Sequence, residues 1–362
     1  MMDTKQYFND AVELLKELIA TPSVSREETK AADILYKQMT EWKLTPQREG
    51  NNVWAIAPGY DPERPTILLN AHIDTVKPVA TWKRKPFEPQ TEGDRLYGLG
   101  ANDCGGGLMA LLQVFRYLSM KPRFFNLIYL ASSEEEVSGK EGIVRALPLL
   151  PKIDVAIVGE PTGMQPAIAE KGLMVIDGYA HGVSGHAARN EGVNAIYEAL
   201  DDLLWLRDYR FEKTSPLLGP TKMTVTVVEA GTQHNVVPDV LHFVLDVRTN
   251  EYYQNEAVYD FLCSKMKKCE LKARSFRLHS SCISENHPLI RKCIEMGMTP
   301  FGSPTLSDQA LMPFPSFKLG PGESSRSHSA DEYICLSEIA DSIEKYIELL
   351  ESVPIFSTNW KD

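Results

Sequence analysis

The sequence predicts an α/β fold in which a mixed, largely parallel sheet is flanked by helices and interrupted by a smaller α+β domain. In the first half of the chain, apolar strand-like segments alternate with helical ones, which is typical of parallel sheets. Between about Leu173 and Ser280 the strands instead alternate apolar and polar residues, as half-exposed antiparallel strands do. We therefore predict one α/β domain over residues 1–172 and 281–362, with an inserted domain over residues 173–280.

Periodicity predicts the individual elements of both domains. Before the insert these are helices in "MMDTKQYFNDAVELLKELI" and "REETKAADILYKQMTEW", a strand in "TILLNAHIDTV", a helix in "GGGLMALLQVFRYL", and strands in "FFNLIYLASS" and "VAIVGEPT". The insert contains strands in "LMVIDGYAHGVSG", "TKMTVTVVEAG" and "VLHFVLDVRTN", separated by helices near 192–208 and 254–268. After the insert come a helix in "HPLIRKCIEMGM", a strand in "SFKLGPG" and a closing helix in "LSEIADSIEKYIELLESV".

The composition argues against nucleic-acid-binding, membrane-spanning and secreted proteins. A formal net charge of −11 over 362 residues argues against nucleic acid or an anionic membrane as the main partner. No apolar run approaches the ~20 residues of a membrane span, and the N-terminal segment does not have the pattern of a signal peptide. The six scattered cysteines favour reduced thiols and a cytoplasmic protein.

Polar residues that can carry chemistry directly follow the apolar strands. His72, Glu135 and Glu160 each lie just past such a strand, at the edge where α/β sheets place their sites. His72 and Asp74 are two residues apart and project to the same side of the strand. A carboxylate beside an imidazole can hold one ring nitrogen and leave the other for a metal. The simpler interpretation is a polar strand end with a satisfied histidine.

Each of the remaining candidates also has a simpler interpretation. Asp103 precedes a helix and could be its N-cap, Glu160 could be a loop acid, and His328 could be a surface histidine. Together, two histidines and several carboxylates suit zinc, cobalt or manganese. Cations would also offset the repulsion among the three adjacent acids of "SSEEEVSG".

The order of the motifs carries a family resemblance. These motifs are "HIDTV", "YGLGANDCGGGLMALL", "SSEEEVSG", "VGEPT", "GVSGHAA", "HNVVPD", "LDVRTN" and "SHSADE". The chain resembles, over nearly its whole length, the dinuclear-zinc amidohydrolase family of acetylornithine deacetylase, succinyl-diaminopimelate desuccinylase and glutamate carboxypeptidase. The resemblance implies a zinc-exopeptidase-like fold with two Zn²⁺ ions per subunit, with Co²⁺ or Mn²⁺ as alternatives. His72, Asp103 and Glu160 would hold one ion, and Asp103, Glu136 and His328 the other.

The resemblance also implies roles beside the metals. Asp74 would orient His72, and Glu135 would be the general base for the attacking water. Glu134 stands where the family usually has aspartate, so a shift of the assignment by one residue stays open. A second departure from the family is "DCGGG", where many relatives have a bulkier residue or lysine after the aspartate.

The inserted domain would supply substrate contacts and a dimer interface or lid, by the same resemblance. His186 would stabilise the oxyanion, and Asn235 would contact the substrate, both often from the partner subunit of a homodimer. Arg248 would grip a substrate carboxylate, for which its planar fork is suited. Gly320 and Gly322 would form a backbone loop beside the substrate. Without the resemblance these residues read as an exposed histidine, a turn asparagine, a sheet-surface arginine and an ordinary turn.

The predicted function is hydrolysis of the amide bond of an N-acylated amino acid. N-acetyl- or N-succinyl-ornithine or -citrulline, in arginine biosynthesis, is the first candidate substrate. Succinyl-diaminopimelate and a dipeptide are the alternatives within the family. A non-catalytic binding relative is disfavoured because every expected ligand is present, and a thiol hydrolase is disfavoured because no base is paired with Cys104 in the sequence.

Overall fold

The structure, a computed structural model, describes residues 4–352. Residues 1–3 and 353, which the sequence assigns to the first and last helices, lie outside the described residues. The predicted helices are all present. The α-helices of the described residues are α1 (Lys5–Ile19), α2 (Thr29–Glu41), α3 (Gly106–Ser119), α4 (Ile143–Ala146), α5 (Ala195–Asp208), α6 (Asn255–Lys265), α7 (Pro288–Glu295) and α8 (Leu336–Glu351). The short helix α4 was not predicted.

The strands include every strand that the sequence predicts and several short ones that it does not. They are β1 (Gln47–Glu49), β2 (Asn52–Ile56), β3 (Thr66–His72), β4 (Gln90–Glu92), β5 (Arg95–Tyr97), β6 (Asn126–Ser132), β7 (Val155–Val158), β8 (Ala167–Glu170), β9 (Met174–His181), β10 (Thr214–Ser215), β11 (Gly219–Pro220), β12 (Lys222–Ala230), β13 (Val240–Arg248), β14 (Cys269–Ala273), β15 (Ser281–Cys282), β16 (Phe301–Ser303), β17 (Ser316–Lys318) and β18 (Tyr333–Cys335).

The chain forms two compact units. The first comprises the chain up to Ile168, the segment Ile283–Phe301 and the chain from Ser307 onward. The second comprises Ala169–Cys282 and the short return Gly302–Leu306. Within residues 4–352, no helix has the length and apolar character needed to cross a bilayer.

The large sheet has the strand order β1-β2-β6-β3-β7-β17-β8-β15, and β16 pairs with β8. Its centre is parallel, because β3 runs parallel to β6 and β7, and β17 runs parallel to β7. Antiparallel strands complete both edges. The predicted α/β class, with a mixed and largely parallel central sheet flanked by helices, is confirmed.

Both faces of the central strands are covered, so β3 and β6 are buried along their whole length. On one face the Tyr129 hydroxyl donates to the Leu108 carbonyl of α3 at 3.2 Å. On the other face Leu68 and Ile128 pack in a cluster with Trp54 and α4. This arrangement explains the continuous apolar runs in the sequence. It also brings the carboxyl ends of β3, β6 and β7 to one edge of the sheet.

The second unit is built on an antiparallel sheet of order β12-β13-β9-β14. Burial alternates along β9 and β13, as predicted for half-exposed strands. Ile176, Phe243 and Leu245 point to the same face and pack against Ala199 of α5 and Leu262 of α6. The polar residues that alternate with them along β9 and β13 lie on the other face of the sheet.

A buried carboxylate fixes the turn after α6. Asp202 of α5 accepts hydrogen bonds from the backbone N–H groups of Lys267, Lys268 and Cys269 at 2.8–2.9 Å. Burial opposes the charge, but the three N–H donors outweigh it and lower the pKa of Asp202. We expect Asp202→Ala to destabilise the protein by at least about 2 kcal/mol, because buried donors lose their acceptor.

The neighbouring Asp201 provides the matched control. Its carboxylate is exposed and lies 3.9 Å from Lys267 Nζ, a pair that contributes little. Asp201→Ala should therefore leave the urea midpoint unchanged, whereas Asp202→Ala should lower it and speed hydrogen exchange at residues 267–269. Equal effects of the two substitutions would contradict this account.

Candidate active site

The five side chains predicted to bind metal lie together at the carboxyl edge of the large sheet. His72 Nε2 is 3.3 Å from Asp103 Oδ1 and 3.6 Å from Glu160 Oε1. His328 Nε2 is 3.5 Å from Asp103 Oδ2 and 3.0 Å from Glu136 Oε2. Asp103 thus presents one oxygen to each histidine, which is the geometry that a bridging carboxylate requires.

The donor set fits borderline-to-hard divalent cations. It consists of two imidazole nitrogens and three carboxylates, the ligands that zinc and its neighbours accept. Glu160 Oε1 is buried without a hydrogen-bond partner. Poor hydration and the nearby Asp103 raise the pKa of Glu160 to about 8. A cation at this point would satisfy the oxygen and remove the repulsion.

Asp74 acts on two parts of the site at once. The closest acceptor to His72 Nδ1 is the Asp74 carbonyl oxygen at 2.9 Å, and the nearer carboxylate oxygen is 3.6 Å away. Because a carbonyl only accepts, the proton of a neutral His72 lies on Nδ1 and Nε2 is free for a metal. The Asp74 carboxylate instead accepts the backbone N–H groups of Glu135 at 3.0 Å and Glu136 at 3.1 Å.

Glu135 lies among other acids in the densely packed site. Loss of hydration raises the pKa of Glu135 well above its ordinary value, and the charges of Glu160, Asp308 and Glu136 raise it further against the opposing effect of His72. Such a carboxyl can take up a proton near neutral pH, as a general base must.

Glu134 faces away from the predicted ligands. Its Oε2 accepts the backbone N–H of Glu141 at 3.4 Å, and its own N–H donates to Glu28 at 3.2 Å. A Cβ on Gly139 would lie 1.7 Å from Glu134 Oε2, so the side chain packs closely over that glycine. These contacts occupy Glu134 outside the predicted ligand set, and the roles of Glu135 as base and Glu136 as ligand stay predictions.

The loop that carries Asp103 is held by an acid that sequence reasoning missed. Helix α3 begins after Gly105, with no side-chain cap, so Asp103 is not its N-cap. Glu332 Oε1 instead accepts the backbone N–H groups of Asn102 at 2.8 Å and Asp103 at 3.0 Å. Glu332 stands in the motif "SHSADE", and its position four residues after His328 was the available signal.

Asp308 is a second buried acid that was not predicted. It accepts a hydrogen bond from Ser132 Oγ at 2.5 Å, at the end of β6. Burial raises the pKa of Asp308 to about 7. The surrounding "TLSDQALM" has no pattern that separates this aspartate from an ordinary loop acid.

Cys104 is a structural neighbour of His72. The His72 N–H donates to its Sγ at 3.2 Å, and the thiol lies 3.4 Å from the His72 carbonyl oxygen, which accepts from it. Burial raises the pKa of the Cys104 thiol far above its ordinary value, which disfavours a nucleophilic thiolate. Ligand atoms of His72, Cys104 and Glu160 also lie within 4.8 Å of one another.

The glycines of "GPG" are required by close packing. A Cβ on Gly320 would lie 2.4 Å from the Glu160 carbonyl oxygen. Gly322 has a φ of +83°, and a Cβ there would lie 2.2 Å from Asn102 Oδ1. The loop therefore packs against the backbone of Glu160 and the side chain of Asn102. Its predicted contact with substrate stays a prediction.

Three predicted site residues belong to the second unit. His186 and Asn235 are exposed neighbours, joined by a bridge from His186 to Val236 and by the Ala187 N–H, which donates to the Asn235 carbonyl at 3.0 Å. Arg248 is half-buried and makes two hydrogen bonds to Asp246 at 2.9 and 3.1 Å. Their roles toward substrate stay predictions.

Comparison with known proteins shows where this fold recurs. Residues 68–352 match the family model described as peptidase family M20/M25/M40. The aminopeptidase PepT from Bacillus cereus has a TM-score of 0.75 at 18% identity, covering 96% of this chain and 98% of that one. An M20 family metallo-carboxypeptidase from Sulfolobus solfataricus has a TM-score of 0.75 at 20% identity, covering 96% and 100%. A dinuclear metal-binding M20 peptidase from Bacillus subtilis has a TM-score of 0.73 at 16% identity, covering 96% and 100%.

The position of each glutamate predicts its effect on metal binding. Glu136→Gln replaces an anionic ligand with a neutral amide, so the affinity for zinc should fall by more than about tenfold. Asp103→Ala should lower it further, because its carboxylate faces both histidines. Elemental analysis after dialysis against buffered zinc measures both effects.

Glu134→Gln is the control for this series, since its side chain faces away from the ligands, and its zinc content should match wild type. Loss of zinc in Glu134→Gln with retention in Glu136→Gln would shift the assignment by one residue.

Proposed function

The chain belongs to peptidase family M20/M25/M40, and on that premise we propose that it hydrolyses the amide bond of an N-acylated amino acid in a metal-dependent reaction. The observation that carries the proposal is the Asp103 carboxylate held between His72 and His328, with Glu135 beside them. A protein that only bound metal would need the five ligands but no further carboxyl beside them.

The ligands would hold two Zn²⁺ ions, one on His72 and Glu160 and one on His328 and Glu136, with Asp103 shared. When bound, such ions polarise a carbonyl and lower the pKa of water. Co²⁺ or Mn²⁺ would satisfy the same donors.

Glu135 would move the proton. It takes the proton from the attacking water and passes it to the leaving nitrogen, and the loss of hydration around Glu135 favours its protonated form by raising its pKa. His186 would donate to the developing oxyanion: its Nδ1 accepts the Ala188 N–H at 3.1 Å, which puts the proton of a neutral ring on Nε2.

N-acetyl- or N-succinyl-ornithine or -citrulline is the substrate class we favour, as a step in arginine biosynthesis. Support comes from the family resemblance and from Arg248, whose guanidinium can bind the carboxylate of an amino acid. Asn235 and the Gly320–Gly322 loop would be further contacts.

The six cysteines are free thiols, which supports a cytoplasmic setting for such an enzyme. Succinyl-diaminopimelate or a small peptide is the second candidate, and the peptidases named among the structural relatives favour the peptide.

A substrate panel tests the proposal. The zinc-loaded protein should hydrolyse one class among acetyl- and succinyl-ornithine, acetyl- and succinyl-citrulline, succinyl-diaminopimelate and unmodified dipeptides. Chelation should abolish the rate, and zinc or cobalt should restore it. In Glu135→Gln the kcat should fall by ~10²–10⁴-fold, while zinc content stays at the wild-type level.

Glu134→Gln is the matched control and should keep its kcat. If the protein hydrolyses dipeptides faster than every acylated amino acid in the panel, the proposed substrate class is wrong and a peptide takes its place. Full activity in protein shown to be metal-free, or in Glu135→Gln, would overturn the mechanism.

We also propose that the second unit forms a homodimer. Strand β12 lies at the edge of its sheet and exposes Val227 and Val228. Helix α5 exposes Tyr197 (71%), Leu200 and Leu204. An open strand edge beside apolar side chains is a surface that proteins normally cover.

Mixing two inactive variants tests this arrangement. If His186 acts across the subunit boundary, His186→Ala and Glu135→Ala protomers should together regain up to about a quarter of wild-type activity, because one site in each mixed dimer is complete. Sedimentation should show a dimer for each variant alone. No regained activity despite demonstrated subunit exchange would place His186 outside the partner's site.

A further inference from the structure

A segment at the start of the chain is tied to the strand end that carries His72. We call residues 23–28, between α1 and α2, the N-terminal strap. Val24 forms a parallel bridge with Thr75. The Thr75 N–H donates to the Ser23 carbonyl at 2.9 Å, and the Ser25 N–H donates to the Thr75 carbonyl at 3.1 Å. The strap thus runs beside the chain just past β3.

The strap supplies one of two buried acceptors for the acidic loop after β6. Three successive backbone N–H groups of this loop donate to carboxylates: that of Glu134 to Glu28 at 3.2 Å, and those of Glu135 and Glu136 to Asp74 at 3.0 and 3.1 Å. Glu28 and Asp74 are almost fully buried (0% and 1% exposed). The three residues that include the base and a ligand are therefore held by carboxylates, while the neutral Asn52 amide accepts the N–H of the preceding Ser133 at 3.1 Å.

Both acceptors are themselves fixed by hydrogen bonds. Glu28 Oε1 also accepts the Arg26 N–H at 2.6 Å, and Oε2 accepts from Asn51 Nδ2 at 3.1 Å. Ser25 Oγ donates to Asp74 Oδ2 at 2.7 Å. A buried carboxylate is tolerated only when it is hydrogen-bonded in this way.

The loop needs such an anchor because its backbone is unfavourable. Glu134 has a φ of +55°, in the left-handed region that non-glycine residues rarely adopt. The next residue is Glu135. A change in the Glu134 backbone would turn the following peptide and move the Glu135 carboxyl.

We propose that Glu28 is a positioning residue: by receiving the Glu134 N–H, it sets the location of the Glu135 carboxyl during proton transfer. This inference rests on the proposed function, in which Glu135 is the base. A misplacement of about 1 Å in a reacting group can cost ~10²-fold in rate. The Glu28 oxygen must therefore lie within hydrogen-bond distance of the Glu134 N–H, and this distance should affect the rate more than the charge of the Glu28 side chain does.

Two substitutions at Glu28 separate the effect of side-chain length from the effect of side-chain charge. Glu28→Asp keeps the charge but withdraws the oxygens, so kcat should fall by ~10–100-fold, with KM and zinc content within about threefold of wild type. Glu28→Gln keeps an oxygen at the original distance for the Glu134 N–H and gives up only the bond from Asn51, whose Oδ1 is held by Arg48 Nη2 at 3.1 Å. Its kcat should therefore stay at least ten times that of Glu28→Asp. Glu27→Ala is the matched control on the exposed side of the strap and should change neither parameter.

A double-mutant cycle with Glu135 measures whether the effects of the two residues on kcat depend on each other. A general loss of stability would not produce such a dependence. If Glu28 acts only by placing Glu135, then Glu28→Asp should lower kcat by less than about threefold in a Glu135→Gln background. Each variant is assayed at full zinc loading with the substrate that the panel identifies, below its thermal unfolding temperature.

The outcomes distinguish this inference from the proposed function. Full activity in Glu135→Gln alone would remove the base and with it the proposed mechanism. A normal loss in Glu135→Gln, combined with wild-type kcat in Glu28→Asp, would overturn the role of Glu28 only. Equal losses from Glu28→Asp in both backgrounds, or a fall in zinc content that accounts for the lost rate, would also overturn it.

Discussion

Repulsion among carboxylates is the constraint on which the rest of the site depends. Strands β3, β6 and β7 all end at one edge of the sheet, and each is followed by at least one acid. Backbone N–H groups and two histidines neutralise part of this charge, while burial and then the nearby Asp103 raise the pKa of Glu160. The buried strands below cannot move apart to relieve it. The excess of negative charge at this edge therefore follows from the fold itself. A divalent cation has the charge and the ligand preference that match it.

Much of this arrangement could be predicted because long buried strands leave a strong pattern. Each central strand is an apolar run followed directly by polar residues, and parallel strands share an edge. These two rules bring His72, Glu135 and Glu160 together without knowledge of any contact. The three-stranded sheet of β4, β5 and β18 was missed for the converse reason: three-residue strands are too short to show a period.

The supporting contacts could not be predicted, because they join parts of the chain that no local pattern connects. Glu28 and Glu134 are 106 positions apart, and Ser132 and Asp308 are 176 apart. The spacing of His72 and Asp74 correctly indicated that the two residues are associated. It could not distinguish the Asp74 carbonyl from its carboxylate as the partner of the ring, since sequence spacing carries no information on rotamers.

The way the chain enters and leaves the second unit has a consequence for its modularity. Glu170 and Ala169 of β8 pair with Ser281 and Cys282 of β15, so the outgoing and returning chains lie one strand spacing apart, ~4.8 Å. Apart from the short return at Gly302–Leu306, the unit is a cassette whose two ends are already joined by a ladder. The chain between β8 and β15 can therefore change in length, sequence or surface without requiring any change in β3, β6 and β7. Evolution could therefore vary what the second unit recognises while the edge that gathers the carboxylates stays the same.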